Sequence, residues 1–283
     1  MVAKLLQIFS LFVRLSRKMS NHVDRTKDVL REKVFSTATI TDVQAISPTI
    51  KWLNLTVDNA NLTFRPGQWL DLHIPNLPVV GGYSMCSTPA LLKKEKQLHL
   101  AVKYSDHPPA VWVHTKCTKG DKVSIQIGGE FLYNVAAEGL KQDTLLIGAG
   151  VGINPLYSVF KHISEVHECN KDVKKCFGQT TMLYTATSLK ELIFKDDMDL
   201  ITSSHDKMTS FYFVTRETGL NNKNIIERRI TEEDLSDAVK STTSDIPNLI
   251  AYLCGPEPMM LSMKGALVKL GLHEDNIRYE SWW

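Results

Sequence analysis

Leu145-Leu146-Ile147-Gly148-Ala149-Gly150-Val151-Gly152-Ile153-Asn154-Pro155 is the stretch on which the reading of this chain turns. An apolar, strand-like run ends in glycines at every second position. Asn154-Pro155 then opens a helix-like segment, Leu156 to Ile163. Glycines let an anion approach bare backbone N–H groups, and proline in a first helical turn removes a donor that has no partner there. The N–H groups and dipole at the start of such a helix favour a nucleotide pyrophosphate. Glycine-rich turns also occur for packing, so the meaning of this one depends on its company.

Upstream, from Val34 to Ile127, the chain reads as short alternating strands. They are Ala38 to Val43, Ile50 to Val57, Trp69 to Ile74, Gln97 to Lys103 and Lys122 to Ile127, separated by Pro-Gly, Gly-Gly and Lys-Gly-Asp turns. That punctuation predicts a small antiparallel barrel or sandwich. From Asp143 onward apolar strands alternate with helical segments: Thr144 to Ile147, Thr181 to Thr185, Phe211 to Val214 and Leu249 to Leu253. The rhythm predicts a parallel sheet with crossover helices. The fold class is therefore β followed by α/β. The expected boundaries are an N-terminal segment 1–33, a β-barrel domain 34–136 and an α/β domain 141–283.

Composition narrows the function classes. With 283 residues, 43% of them hydrophobic, the chain buries a large core. Its net charge of +2 and lack of a basic tract past the N-terminus argue against a nucleic-acid partner. Five scattered cysteines without a C-x-x-C pair argue against disulfides, a zinc site or an iron–sulfur cluster, so no metal is expected. Residues 1–23 carry Lys4, Arg14, Arg17 and Lys18, no acid, and apolar residues at roughly helical spacing. This pattern predicts a mitochondrial transit peptide, with a secretory leader as the alternative. Arg14 and Arg17 interrupt any membrane-spanning run.

Four pieces in order resemble one family: Arg65-Pro66-Gly67-Gln68-Trp69, Gly82 to Pro89 (Gly-Tyr-Ser-Met-Cys-Ser-Thr-Pro), Gly148 to Pro155, and Cys254-Gly255-Pro256-Glu257-Pro258-Met259. The chain resembles the ferredoxin–NADP reductase superfamily over roughly residues 35–283. The resemblance implies a flavin-binding antiparallel barrel followed by a nicotinamide-binding domain. It implies that Tyr83 lies beside the flavin ring and Ser84 hydrogen-bonds near its N5. It also implies that Gly148, Ala149, Gly150, Val151, Gly152, Ile153, Asn154 and Pro155 hold the dinucleotide, and that Cys254, Gly255 and Pro256 close over the nicotinamide. Trp282, in the Glu-x-aromatic ending Glu280-Ser281-Trp282, covers the flavin face in this reading. Ser84, Cys254 and Trp282 then frame the reacting atoms.

Two departures from the family pattern concern the flavin. The family has Arg-x-Tyr-Ser, its arginine neutralising a flavin phosphate, where this chain has Gly81. A hydroxyl that caps the helix at the flavin pyrophosphate is replaced by Ala110. Lys103, His107 and His114 are the possible substitutes. FAD, FMN and no flavin all stay open. For the nucleotide, Glu191 stands where the family often has an acid suited to free ribose hydroxyls, so NAD(H) is expected over NADP. Thr215-Arg216 follows the next strand and either contacts the nucleotide or faces water.

These expectations describe a flavin-dependent NAD(P)H oxidoreductase that passes hydride from NADH to flavin, and electrons to an acceptor outside the chain, a separate protein or a small molecule. The alternative is an NAD(H)-binding sensor or assembly protein that keeps the fold without flavin turnover.

Overall fold

The structure is a computed structural model and describes residues 22–134, 141–169, 177–220, 222 and 224–281. The first half runs α1 (His22–Arg25), β1 (Arg31–Ala45), β2 (Ile50–Val57), β3 (Trp69–His73), β4 (Gly81–Ser84), α2 (Pro89–Glu95), β5 (Gln97–Lys103), α3 (Pro108–Thr115) and β6 (Lys122–Gly128). The second runs β7 (Thr144–Ala149), α4 (Ile153–Cys169), β8 (Thr180–Ala186), α5 (Lys195–Ser204), β9 (Met208–Val214), β10 (Ile225–Ile226), α6 (Glu232–Thr242), β11 (Ile250–Gly255), α7 (Glu257–Lys269) and β12 (Ile277–Ser281).

The six strands of the first half form an antiparallel sheet in the order β4-β3-β6-β1-β2-β5. Alternation folds it into a nearly closed barrel: Leu53 and Leu55 of β2, Leu70 and Leu72 of β3, Leu98 and Leu100 of β5, and Ile125 and Ile127 of β6 share one buried cluster. Each such side chain stabilises the fold by about 1.5–3 kcal/mol when fully buried. The seam between β4 and β5 is bridged where the Cys86 N–H donates to the His99 carbonyl at 3.0 Å and the His99 N–H donates to Ser87 Oγ at 3.0 Å.

α1 docks on the outside of β3 and β4. His22 is fully buried, its ring set edge-on to Trp69 at 4.6 Å and its Nε2 3.4 Å from Asp71. Arg31 holds the following turn, donating from Nε to Asp71 at 2.6 Å and from Nη1 to the Thr26 carbonyl at 2.7 Å. Burial, then the nearby Arg25, Arg31 and His107, lower the His22 pKa to about 3, so the ring is neutral.

The second half is a parallel sheet in the order β10-β9-β8-β7-β11-β12. Its central strands are apolar on both faces, as a doubly covered sheet requires. Leu146, Met182, Tyr184 and Tyr252 face α4, whereas Leu145, Ile147, Leu183 and Leu253 face α6 and α7. The chain builds outward from β7 through β8 to β9, then returns past β7 to β11 and β12. The order reverses between β7 and β11, and open α/β sheets bind ligands in the crevice at such a switch point.

The two sheets meet through one continuous core that joins Ile50, Cys86 and Ala101 of the barrel to Ile153, Leu156 and Tyr157 of α4. Polar bonds fix the register of this contact. Asn154 Nδ2 donates to the Ala101 carbonyl at 2.8 Å, and Ser158 Oγ donates to the Ser87 carbonyl at 2.6 Å. Among the described residues no helix is long and apolar enough to cross a membrane, and no three potential metal ligands cluster.

Candidate functional site

The switch point coincides with the glycine loop. β7 ends at Ala149, a 3-10 turn covers Gly150–Gly152, and α4 follows at Ile153. Gly150 has φ +55° with open space where a Cβ would sit, so the bare backbone faces the crevice. Gly152 is needed for a different reason: a Cβ there would lie 2.7 Å from the Cys254 carbonyl carbon and 2.9 Å from the Gly255 nitrogen. The loop and the end of β11 therefore touch only because position 152 lacks a side chain. Ala149 and Val151 are half-buried, whereas Gly148, Ile153 and Pro155 are buried behind the loop. Asn154 turns its amide to the barrel at Ala101, so its side chain serves the domain contact.

β11 carries Cys254 and Gly255 to the same edge, both buried, while Pro256 is exposed. β12 lies parallel to β11 with Cys254 opposite Glu280 and Gly255 opposite Ser281. Across the domain contact, β4 presents Ser84, itself buried, whose Oγ donates to Glu280 Oε2 at 3.5 Å. Ser84, Cys254 and Glu280 thus converge at the mouth of the crevice. Burial, with the Glu280 charge added, raises the Cys254 pKa well above its ordinary value, so the thiol stays protonated. Glu280 is the member that the sequence reading passed over. Its signal lies in the Glu-x-aromatic ending, ahead of Trp282, which is outside the described residues.

Tyr83 sits one residue earlier, half-buried, its hydroxyl pushed above the ordinary phenol range by burial and without a partner among the described residues. Thr185, at the carboxyl end of β8 beside Ala149, also has a buried hydroxyl without a partner among the described residues. Buried polar atoms normally find partners, so both are exceptions among the described residues.

Three expectations are revised. Glu191 does not face a ribose. It is buried at the domain contact, where Ser47 Oγ donates at 2.9 Å, Thr49 Oγ1 at 2.9 Å and Lys103 Nζ at 3.1 Å. Burial opposes its ionisation, but the bonds from Thr49, Ser47 and Lys103 outweigh that and hold its pKa below the ordinary value. Lys103 is consequently engaged by Glu191 and does not replace the missing flavin arginine. His114 binds the Val102 carbonyl at 2.9 Å, which removes it as well. Arg216 stands exposed beyond the end of β9, its backbone N–H bonded to the Thr187 carbonyl.

A flavin fits this site at one end only. The ring end has Ser84, Cys254 and Glu280, whereas Tyr83 packs toward the barrel core with its ring tip over Gly81, away from Ser84. At the phosphate end, position 81 offers neither a charge nor room for one: a Cβ there would lie 2.6 Å from the Tyr83 ring and 2.8 Å from Pro109 Cβ.

Comparison with known proteins agrees with this fold. Residues 146–264 match the family described as oxidoreductase NAD-binding domain. The Xenopus tropicalis protein called oxidoreductase NAD-binding domain-containing protein 1 is 38% identical over 275 residues, covering 95% of this chain and 86% of the relative. Among solved structures, the flavohem-like FAD/NAD-binding domain of nitric oxide dioxygenase from Vibrio cholerae superposes with a TM-score of 0.70 at 20% identity, over 87% of this chain and 98% of that one. A Neisseria gonorrhoeae ferredoxin–NADP+ reductase with bound FAD and NADP gives 0.68 at 17% identity, over 89% and 100%. These two likenesses show the fold.

Proposed function

The chain belongs to the family of oxidoreductase NAD-binding domain-containing proteins, and we propose that it oxidises NADH in the crevice between β7 and β11. The carrying observation is the meeting of three elements there: the Gly148–Pro155 loop, the Cys254-Gly255 strand end, and Ser84 with Glu280 across the domain contact. The dinucleotide pyrophosphate rests on the backbone of Gly150 to Gly152 at the head of α4. Its nicotinamide lies over Gly255, beside Cys254.

The residues act by placement. Ser84 would hold a flavin ring, which would supply a hydride acceptor able to release electrons singly or in pairs. Ser84 holds the ring edge through a hydroxyl that donates or accepts as needed. The neutral Cys254 thiol packs at the reacting face without a competing negative charge. Glu280 orients Ser84, and the tight Gly152–Cys254 contact excludes water from beneath the nicotinamide. The electron acceptor lies outside this chain, and the basic, acid-free residues 1–23 support import into mitochondria. Localisation of the tagged full chain to another compartment would reject the latter.

The experiment is NADH titration followed by nicotinamide fluorescence, then anaerobic NADH with and without added flavin. Saturable binding and bleaching of the flavin support the reading; a chain that does not bind NADH ends it. Binding without any turnover would favour a nucleotide sensor, a reading that the closed phosphate end of the flavin site keeps in view.

A further inference from the structure

The phosphate end of the expected flavin site is closed from two directions. Tyr83 folds its ring over Gly81 and against Pro109, filling the space that a side chain at 81 would need. α3, whose N-terminus adjoins that place, begins Pro108-Pro109. An anion is held at a helix N-terminus by backbone N–H groups, and two successive prolines remove two of them. The N-cap residue His107 makes no side-chain cap bond, and Ala110 offers no hydroxyl. At the ring end Ser84, Glu280 and Cys254 converge.

We propose that this chain takes flavin as an exchangeable substrate, recognised by its ring beside Ser84 and Glu280 and not by its phosphates. The inference rests on the NADH reading above and names the acceptor for that site. In the reaction, the C4–H bond of NADH breaks and the hydride forms a new bond at N5 of the oxidised flavin. A proton from water adds at N1, and NAD+ and dihydroflavin both depart. Two electrons move, and none remain on the protein. Riboflavin, FMN and FAD carry the same ring and differ only in the groups that this site does not recognise.

The test uses the full chain with riboflavin, FMN and FAD, reading flavin fluorescence for affinity and NADH loss for turnover. The three dissociation constants should agree within about threefold, and a desalting column should strip the protein of flavin. FAD preferred by about tenfold or more, or retained on the column, overturns the proposal. So does Arg25→Ala if it weakens FAD while leaving riboflavin unchanged, since the neighbouring α1 would then supply the missing cation. The double variant Pro108→Ala/Pro109→Ala restores two donors and should favour FMN and FAD over riboflavin by about tenfold; an unchanged ratio in a folded variant counts against it. NADH that binds while no added flavin is reduced overturns this proposal alone. Absence of NADH binding removes the underlying reading with it.

Discussion

Gly152 and the carbonyl of Cys254 are in contact, and only a residue without a side chain allows it. Gly152→Ala should therefore separate the glycine loop from β11. An overpacked contact of this kind costs about 1–3 kcal/mol. The expected readings are a lower thermal midpoint and a loss of NADH affinity. Gly150→Ala, in open space but at φ +55°, should cost about 1–2 kcal/mol through backbone strain and leave β11 in place. Equal effects of the two on NADH binding would contradict this division of roles.

Ser84, Cys254 and Glu280 form one constellation, and their variants should behave as one. Ser84→Ala and Glu280→Gln should each lower NADH turnover by about ten- to a hundredfold, with little change in NADH affinity, as misplacement of a reacting group does. Cys254→Ser should retain more activity than Cys254→Ala. A double variant no worse than the poorer single one would show that Glu280 acts through Ser84.

Glu191 should matter for stability and not for nucleotide choice. Its folded pKa lies below the ordinary value of 4.5, so its contribution is present above that pH and is lost as pH falls through the lower, folded value. Glu191→Ala should destabilise the neutral-pH protein by about 1–3 kcal/mol, because Thr49, Ser47 and Lys103 lose their acceptor. The NADH to NADPH affinity ratio should not move. A shift in that ratio would return Glu191 to the ribose.

His22 gives the docking of α1 a pH dependence of its own. The ring is neutral when buried, with a pKa of about 3 against 6.5 in the open chain. Docking is therefore fully favoured above pH 6.5 and weakens as pH falls toward 3, by at most about 1.4 kcal/mol per pH unit. Proteolysis between His22 and Arg31 should accelerate as pH is lowered through this range. His22→Phe should flatten the dependence.

The architecture was legible because its signals are local. Alternation in Ile50–Val57 and Lys122–Gly128 shows one buried face, and the unbroken apolar runs of β7 and β11 show two. The glycine loop announces itself through spacing. What escaped depends on pairs distant in sequence. Glu280 acquires meaning only when β12 lies beside β11 and Ser84 arrives from a residue 196 positions away. Glu191 looked like a ribose ligand until its bonds to Thr49, 142 positions earlier, were seen. The Tyr83 ring over Gly81 is a rotamer outcome, and no linear pattern encodes it.

The burial of His22 also limits how far the chain can be shortened from its N-terminus. If the proposed leader is removed, the cut must fall ahead of His22. A cut between His22 and Arg31 would strip the cover from Trp69 and Gly82 and leave Asp71 without its imidazole neighbour. Such a product exposes barrel wall meant to be covered and becomes a substrate for degradation rather than a stable shorter form. The fold thus sets the shortest form of the chain that keeps its barrel covered, wherever a cut is made.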